Sequence, residues 1–267
     1  MRVLAVQPDT AWEDKPANFD RVGQLVNQAD PPSGSLVVLP EMFATGYSMN
    51  VEDIAEEPGG PTEQFLADLA ARSGCAVAGG LVLREADGRG LNCVTVFSPE
   101  GLLGRYAKLH PFSFAHEHEH YAAGSRLMMF RWAGMNVAPL ICYDLRFPEA
   151  FRALVRGGAE VFLVPANWPA QRALHWRVLL TARAIEDQAF VVGVNRTGSD
   201  PNVRYAGGSA IINGHGEPLA GADDEECTLA ADLDAAKLRD CRIRFGALAD
   251  MRNDLFTFPA TIERHEA

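Results

Sequence analysis

The segment MNVAPLICYDLRFPEAFRALVRGGAEVFLVPAN, residues 135–167, decides the fold class because it alternates apolar runs with a stretch of helical period. Its two ends, MNVAPLIC (135–142) and EVFLVPAN (160–167), are typical of buried strands. Between them PEAFRALVR (148–156) predicts a helix that begins at Pro148, because proline is favoured at the first helical position. This strand–helix–strand order is typical of α/β proteins.

The same alternation continues outward from this segment in both directions. We predict further strands at 2–7, 35–40, 75–83, 91–99, 101–106, 189–195, 207–213 and 227–233, and helices at about 16–29, 62–73 and 172–187. The three consecutive strands between 75 and 106 predict an antiparallel part of a sheet. The elements form two strand–helix sets that can face each other as paired sheets.

Nothing in the sequence divides the 267 residues into separate domains. No linker rich in Ser, Pro or Gly separates the two halves, so we predict one domain over residues 1–267. The tail from about 242 carries Phe245, Phe256 and Phe258, and we expect it to pack on the domain or on a partner subunit.

The charge balance and the cysteines narrow the classes of function. With 24 Lys and Arg against 35 Asp and Glu, the net charge is -11 and no basic cluster stands out, which disfavours general nucleic-acid binding. No apolar run approaches the roughly 20 residues of a membrane span, and the N-terminal run is too short for a secretory signal. The five cysteines form no Cys-x-x-Cys pair, and free thiols predict a reducing, cytoplasmic location. We therefore expect no nucleic-acid partner and no membrane partner.

Three residues can together carry the chemistry of a cysteine hydrolase. Cys142 lies at the end of a predicted strand and just before a helix, where α/β enzymes expose nucleophiles; the alternative is a buried structural thiol. Glu41 follows the strand VVLP, and Lys108 follows an extended run in GRYAKLHPF; the alternative for both is a solvated surface position. Amide hydrolysis through a thiol needs a base, a nucleophile and a cation for the oxyanion, and these three residues supply one of each.

The segments around these residues, VVLPEMFATGY, GRYAKLHPF and PLICYDLRFPE, resemble in their order the signature segments of the nitrilase, or carbon–nitrogen hydrolase, superfamily. The resemblance implies a four-layer α-β-β-α sandwich of two facing mixed sheets flanked by helices, and it implies a homodimer or a higher homo-oligomer. It implies that Glu41 is the general base, that Lys108 stabilises the oxyanion, and that Cys142 forms a thioester. It implies no cofactor and no metal.

The resemblance also implies a second active-site glutamate in HEHEHYAAG, where Glu117 and Glu119 are the candidates. The spacing to Gly124 favours Glu117. The same segment leaves a metal site open, because His116, His118 and His120 would share one face if the segment were a strand. On a loop that argument does not apply, and a solvated or hydrogen-bonded role is then the alternative.

Within the superfamily, PEMFATGYSM, EHEHYAAG, CYDLRFP and VPANWPAQRALHWRVLLTARAIEDQ are similar to the omega-amidases, which hydrolyse the terminal amide of 2-oxoglutaramate and related dicarboxylate monoamides. Such a small-molecule substrate carries a free carboxylate. Arg146 can bind it with two parallel hydrogen bonds; a structural ion pair with Asp144 or Glu149 is the alternative.

Three aromatic residues, Phe43, Tyr143 and Trp168, are predicted to form apolar walls for a short aliphatic chain, although each can equally belong to the core. The backbone N–H of Tyr143, next to the nucleophile, is predicted to be the second oxyanion donor.

Other functions stay open on the sequence alone. The same triad serves carbon–nitrogen hydrolases that act on a nitrile, an N-carbamoyl amino acid or another aliphatic amide. A catalytically silent relative that serves as a binding module is a second alternative. A papain-like enzyme is a third, and it would need His110 or His175 as the base for Cys142.

Overall fold

Two mixed β-sheets, each covered on its outer face by helices, make up the structure. The computed structural model describes residues 1–252, 254–255 and 260–266. Its strands are, in chain order, β1 Arg2–Gln7, β2 Leu36–Val38, β3 Ala76–Arg84, β4 Gly90–Ser98, β5 Gly101–Ala107, β6 Leu127–Trp132, β7 Met135–Pro139, β8 Val161–Ala166, β9 Phe190–Asn195, β10 Thr197–Ser199, β11 Arg204–Ala206, β12 Ala210–Ile212, β13 Pro218–Gly221, β14 Cys227–Asp232 and β15 Ile262–His265. Its α-helices are α1 Lys15–Ala29, α2 Val51–Ile54, α3 Pro61–Ser73, α4 Glu117–His120, α5 Pro148–Arg156, α6 Ala173–Glu186 and α7 Ala235–Arg244.

The first sheet has the strand order β14-β1-β2-β3-β4-β5. Its centre is parallel, because β2 pairs in parallel with both β1 and β3. From β3 through β4 to β5 the pairing is antiparallel, as the consecutive strands between 75 and 106 predicted.

The second sheet has the order β13-β12-β9-β8-β7-β6-β15 and is parallel at β7, β8 and β9. Its edge strand β15 lies in the tail, where it pairs in parallel with β6. Strands β6, β13 and β15 were not predicted from the sequence. Phe256 and Phe258 of the predicted tail lie outside the described residues, and Phe245 is largely exposed.

The alternation of side chains along β1 shows how the layers are held together. Val3 and Ala5 belong to the core between the sheets, whereas Leu4 and Val6 belong to the core beneath α1 and α3. Helices α5 and α6 pack on the second sheet in the same way. The fold is therefore the α-β-β-α sandwich that the sequence resemblance implied. No described residues form a helix that is long and apolar enough to cross a bilayer.

The strand ends bring the predicted site together. Strand β2 leads into Glu41, β5 leads directly into Lys108, and β7 leads into the turn of Cys142. In α/β sheets the carboxyl ends of the strands are the usual place for ligand chemistry. Here the ends of the two sheets meet, since the Asn167 backbone N–H that follows β8 donates to Glu41 Oε2 at 2.9 Å.

Candidate active site

Glu41 is completely buried in a tight turn after β2. The next residue, Met42, has a left-handed φ of 45°, which turns the chain sharply. Gly80 of β3 allows this approach, because a Cβ there would lie 2.5 Å from Glu41 Cα and 2.6 Å from Pro40 O. The Glu41 carboxylate is thus fixed by backbone packing as well as by its hydrogen bonds.

Lys108 lies between two buried carboxylates. Its ammonium donates to Glu41 Oε1 at 2.8 Å and to Glu117 Oε1 and Oε2 at 3.1 and 2.9 Å, and the side chain is 1% exposed. Burial alone would lower the pKa of Lys108, but the charges of Glu117 and Glu41 outweigh it and hold that pKa well above its ordinary value. The lysine therefore stays a cation inside the protein.

Glu117, at the start of the one-turn helix α4, is the second carboxylate of the cluster. It also accepts from the Tyr47 hydroxyl at 2.9 Å and from the Phe112 backbone N–H. Burial raises its pKa, but the Lys108 charge and the hydrogen bonds outweigh this effect, so the pKa of Glu117 lies below its ordinary value. Glu119 instead is exposed and contacts His116 at 2.8 Å. Of the two candidates, the structure brings Glu117 to Lys108.

Cys142 opens a short 3-10 turn, Cys142–Arg146, three residues beyond the observed end of β7. Its left-handed φ of 45° is rare for a residue with a side chain and typical of nucleophiles on sharp turns. Burial raises the pKa of the Cys142 thiol well above its ordinary value; the Glu41 charge adds to the rise and Lys108 opposes it. A hydrogen bond between the thiol and Glu41 contributes to the same rise in the pKa. Because the thiol is neutral at rest, it needs a base in contact, and Glu41 is that neighbour.

Hydrogen bonds of Asp144 connect the turn of Cys142 to β5, the strand that directly precedes Lys108. Its buried carboxylate accepts from Ile141 N at 2.9 Å and Tyr106 Oη at 2.7 Å, and it contacts His110 N at 3.0 Å and His110 Nδ1 at 2.7 Å. The carboxylate is therefore occupied by its own network and does not form the alternative ion pair with Arg146. His110 is likewise engaged by Asp144, and no histidine is among the groups that shift the pKa of Cys142.

Two asparagines that sequence reasoning missed complete the cluster. Asn92 Nδ2 donates to Glu41 Oε1 at 2.7 Å and to Glu117 Oε1 at 2.9 Å. Asn167 donates its backbone N–H to Glu41 Oε2, and its amide donates to the Glu41 carbonyl at 2.6 Å. The sequence offered one clue to Asn92, because asparagine is depleted in strands and here it lies within the apolar strand β4.

A pocket of about 250 Å³ opens in front of Cys142 and Lys108. Tyr143, Arg146 and Trp168, which the sequence analysis predicted to bind substrate, line it. The prediction for Phe43 is wrong: this ring is buried beneath the helical layer against Phe19 and Phe65, with centroid distances of 6.2 and 5.8 Å. The turn at Met42 directs Glu41 toward the site and the adjacent Phe43 into the core.

Arg146 presents a cation to this pocket. Its guanidinium lies over the Trp168 ring at 4.9 Å and the Tyr143 ring at 5.9 Å, and it contacts His175 Nδ1 at 3.3 Å. Among the described residues it has no carboxylate partner, so neither Asp144 nor Glu149 neutralises it.

The segment HEHEHYAAG contains a helical turn and no strand, so the strand spacing that would align its three histidines as metal ligands does not apply. His116, His118 and His120 are exposed. Across the described ranges no group of three or more His, Cys, Asp or Glu side chains is arranged to hold a metal ion.

The fold and the site define a class of enzyme, and comparison with known proteins agrees. A family model described as carbon-nitrogen hydrolase matches residues 2–243. The chain belongs to the carbon–nitrogen hydrolase family, whose members hydrolyse carbon–nitrogen bonds. Its structure is similar to that of XC1258 from Xanthomonas campestris, a CN-hydrolase superfamily protein, with a TM-score of 0.89 and 37% identity over 97% of this chain and 98% of that one.

Within the family, the chain is similar to proteins named for amidase activity. It is 38% identical to the omega-amidase YafV of Escherichia coli strain K12, over 94% of this chain and 96% of that protein. It is 34% identical to the 2-oxoglutaramate amidase of Bacillus subtilis strain 168, over 91% of this chain and 94% of the relative.

Proposed function

We propose that this protein is an omega-amidase, which hydrolyses the terminal amide of a small dicarboxylate monoamide such as 2-oxoglutaramate or succinamate to the carboxylate and ammonia. The observation that carries the proposal is the Lys108 ammonium held between the buried Glu41 and Glu117 carboxylates. This cluster adjoins the Cys142 thiol, and the pocket that they share is also lined by Arg146, which has no carboxylate partner in the described part of the chain. The names of the relatives support the same substrate class.

In the first half of the reaction Glu41 takes the Cys142 proton while the sulfur attacks the amide carbonyl carbon. The negative charge that develops on the carbonyl oxygen is stabilised by Lys108 and by the backbone N–H of Tyr143. The carbon–nitrogen bond then breaks, and the nitrogen takes the proton from Glu41 and leaves as ammonia. The acyl group remains on Cys142 as a thioester.

In the second half Glu41, again a carboxylate, takes a proton from a water molecule whose oxygen attacks the thioester carbonyl. The carbon–sulfur bond breaks, the product leaves as a carboxylic acid that ionises in water, and the sulfur regains its proton from Glu41. Glu117 does not touch the reacting atoms. It holds the charge of Lys108, and it shares the Asn92 amide with Glu41, so that the base and the cation keep a fixed distance.

The pocket favours a short substrate with an anionic end. Its volume of about 250 Å³ lies below the roughly 300–1,000 Å³ of sites for drug-sized ligands. The rings of Tyr143 and Trp168 provide apolar walls, and Arg146 offers two N–H groups to the substrate carboxylate.

An ammonia-release assay with four substrates tests the proposal. We expect turnover of 2-oxoglutaramate and succinamate, with little release from 3-ureidopropionate or a simple aliphatic nitrile. The Cys142→Ala variant should lose the activity, and Cys227→Ala, which removes a thiol outside the pocket, should keep it. Faster turnover of the ureido compound or the nitrile would instead favour the alternative of another carbon–nitrogen hydrolase, and parental activity in Cys142→Ala would refute the mechanism.

We further propose that the protein is cytoplasmic and forms a homodimer. The five free cysteines support a reducing location. Three exposed apolar residues of α6, Leu174, Val178 and Ile185, follow one helix face and support contact with a second copy. Light scattering after size-exclusion chromatography should give twice the chain mass, and Val178→Glu should reduce it to that of one chain.

A further inference from the structure

We infer that Arg172 is a second specificity-determining residue of the pocket, which binds the substrate carboxylate together with Arg146 and so selects amides with an anionic end. The inference rests on the proposed function and extends it to a residue that sequence analysis did not single out. Arg172 ends the short 3-10 turn Ala170–Arg172, immediately before α6, and lines the same cavity as Cys142.

The side chain of Arg172 is held by aromatic rings and by no polar group. Its guanidinium centre lies 5.0 Å from the centroid of the Phe114 ring and 5.7 Å from that of Phe112. Cation–π contact of this kind uses the face of the planar guanidinium and leaves the N–H groups at its edge available. Among the described residues no side chain or carbonyl accepts from these N–H groups. The side chain is only half-buried, so its donors meet water or a ligand.

Two guanidinium groups that have no carboxylate partner among the described residues line one small pocket, in a chain whose acidic residues outnumber its basic ones by 11. Two other arginines of low exposure do have carboxylate partners: Arg105 binds Glu63 at 2.6 Å and Arg183 binds Glu186 at 2.6 Å. Because a protein with net negative charge repels an anionic substrate at long range, a local pair of cations offsets this repulsion where the substrate docks.

The acidic residue of the pocket, Asp200, does not neutralise either arginine. Its carboxylate accepts from Tyr205 Oη at 2.6 Å and from the backbone N–H groups of Asn202 and Val203 at 2.7 Å each. These bonds tie Asp200 to its own loop. Arg146 has one donor directed to His175, whereas Arg172 has none engaged, so Arg172 has the greater capacity for a carboxylate.

The test compares a charged and a neutral amide of similar length. Ammonia release from succinamate and from butyramide, which lacks the carboxylate, is measured for the parental enzyme, Arg172→Gln, Arg172→Lys and the control Arg177→Gln. Arg177 is an exposed arginine of α6 that does not line the pocket, so its variant removes the same charge from the same helix region.

We expect Arg172→Gln to raise KM for succinamate about 10- to 100-fold, about 1.4–2.8 kcal/mol at 1.4 kcal/mol per tenfold change. Its KM for butyramide should stay within about twofold of the parental value. Arg172→Lys should recover part of the loss, since an ammonium keeps the charge but not the two parallel donors. Arg177→Gln should behave as the parental enzyme with both substrates.

An equal loss with both amides would overturn the inference, because it would show that Arg172 only supports Phe112 and Phe114. Unchanged kinetics for succinamate would overturn it as well. Neither result would touch the proposed function, which is tested separately by the four-substrate panel and by Cys142→Ala.

Discussion

Replacing Glu117 by glutamine removes the charge that keeps Lys108 a cation while leaving the shape of the side chain almost unchanged. Lys108 contacts both oxygens of Glu117 at 3.1 and 2.9 Å, and Asn92 and Tyr47 donate to the same carboxylate at 2.9 Å. In the variant an NH₂ group takes the place of one acceptor. Glu41 is then the remaining carboxylate beside the ammonium.

The magnitude follows from the loss of one charged hydrogen bond in a buried site. Such bonds contribute about 1.5–3 kcal/mol. At 1.36 kcal/mol per tenfold change in rate, we expect kcat to fall about 10- to 150-fold. KM should change little, because Glu117 does not line the pocket.

The pH dependence gives a second, independent signature. The Glu117 charge is the largest influence that raises the pKa of Lys108 against burial, which lowers it. Without that charge, Lys108 loses its proton at a lower pH, so the alkaline limb of the kcat profile should move to lower pH in Glu117→Gln. The kcat of the parental enzyme should not fall over the same range of pH.

The assay is ammonia release from succinamate between pH 6 and 10, with thermal unfolding as a check of folding. Glu119→Gln is the matched control, because Glu119 lies on the same helical turn but is exposed and contacts only His116. A kcat for Glu117→Gln within twofold of the parental value, or an equal loss in Glu119→Gln, would refute the reasoning.

Three further predictions concern stability and reactivity. Gly80→Ala should lower both the melting temperature and kcat, because the added Cβ would lie 2.5 Å from the Glu41 backbone. Calorimetry and ammonia release measure the two values, and unchanged values would contradict the assigned packing. Burial raises the pKa of Asp187 to about 7, so the stability that its protonated form contributes is present below pH 4 and is lost as the pH rises through 7. The melting temperature of Asp187→Asn should therefore fall less from pH 5 to pH 8 than that of the parental protein. An equal fall in both proteins would refute this prediction. Burial likewise raises the pKa of the Cys93 thiol to about 12. Iodoacetamide should therefore label the half-buried Cys241 but not Cys93 in the folded protein. Comparable labelling of both cysteines would contradict the structure.

The sequence predicted the sheets well because their signal is local. Apolar runs such as RVLAVQ and CAVAGGLVL mark strands by composition, and helix α5 begins and ends where its pattern predicted. Strand β15 was missed because its residues, IERH, are mostly polar. This edge strand is defined by its pairing with β6, which no local pattern reports.

The candidate site was predictable only where a residue type is itself informative. Glu41, Lys108 and Cys142 were found through the chemistry of the residue types and the resemblance of their segments to a known family. Phe43 was misplaced because the direction of a side chain depends on the backbone, and the left-handed φ of Met42 reverses it within one residue.

The residues that hold the triad in place left a weaker signal. Asn92 and Asp144 act through contacts with residues far away in the chain, such as Glu41 and Tyr106. From the sequence alone, Arg172 cannot be distinguished from an ordinary surface cation. Only the structure shows that Arg172 lines the pocket and that no described side chain or carbonyl accepts from its guanidinium.

The thioester on Cys142 is the central claim, and mass spectrometry of the acylated enzyme tests it most directly. Acid quenching of the parental enzyme during turnover of succinamate should trap an acyl group on the chain, and Glu41→Gln, which removes the base of both half-reactions, should form it more slowly. We predict a mass increase equal to the substrate minus ammonia, located by peptide mapping at Cys142. Its absence in both the parental enzyme and Glu41→Gln during measurable turnover, or its presence on another cysteine, would contradict the account.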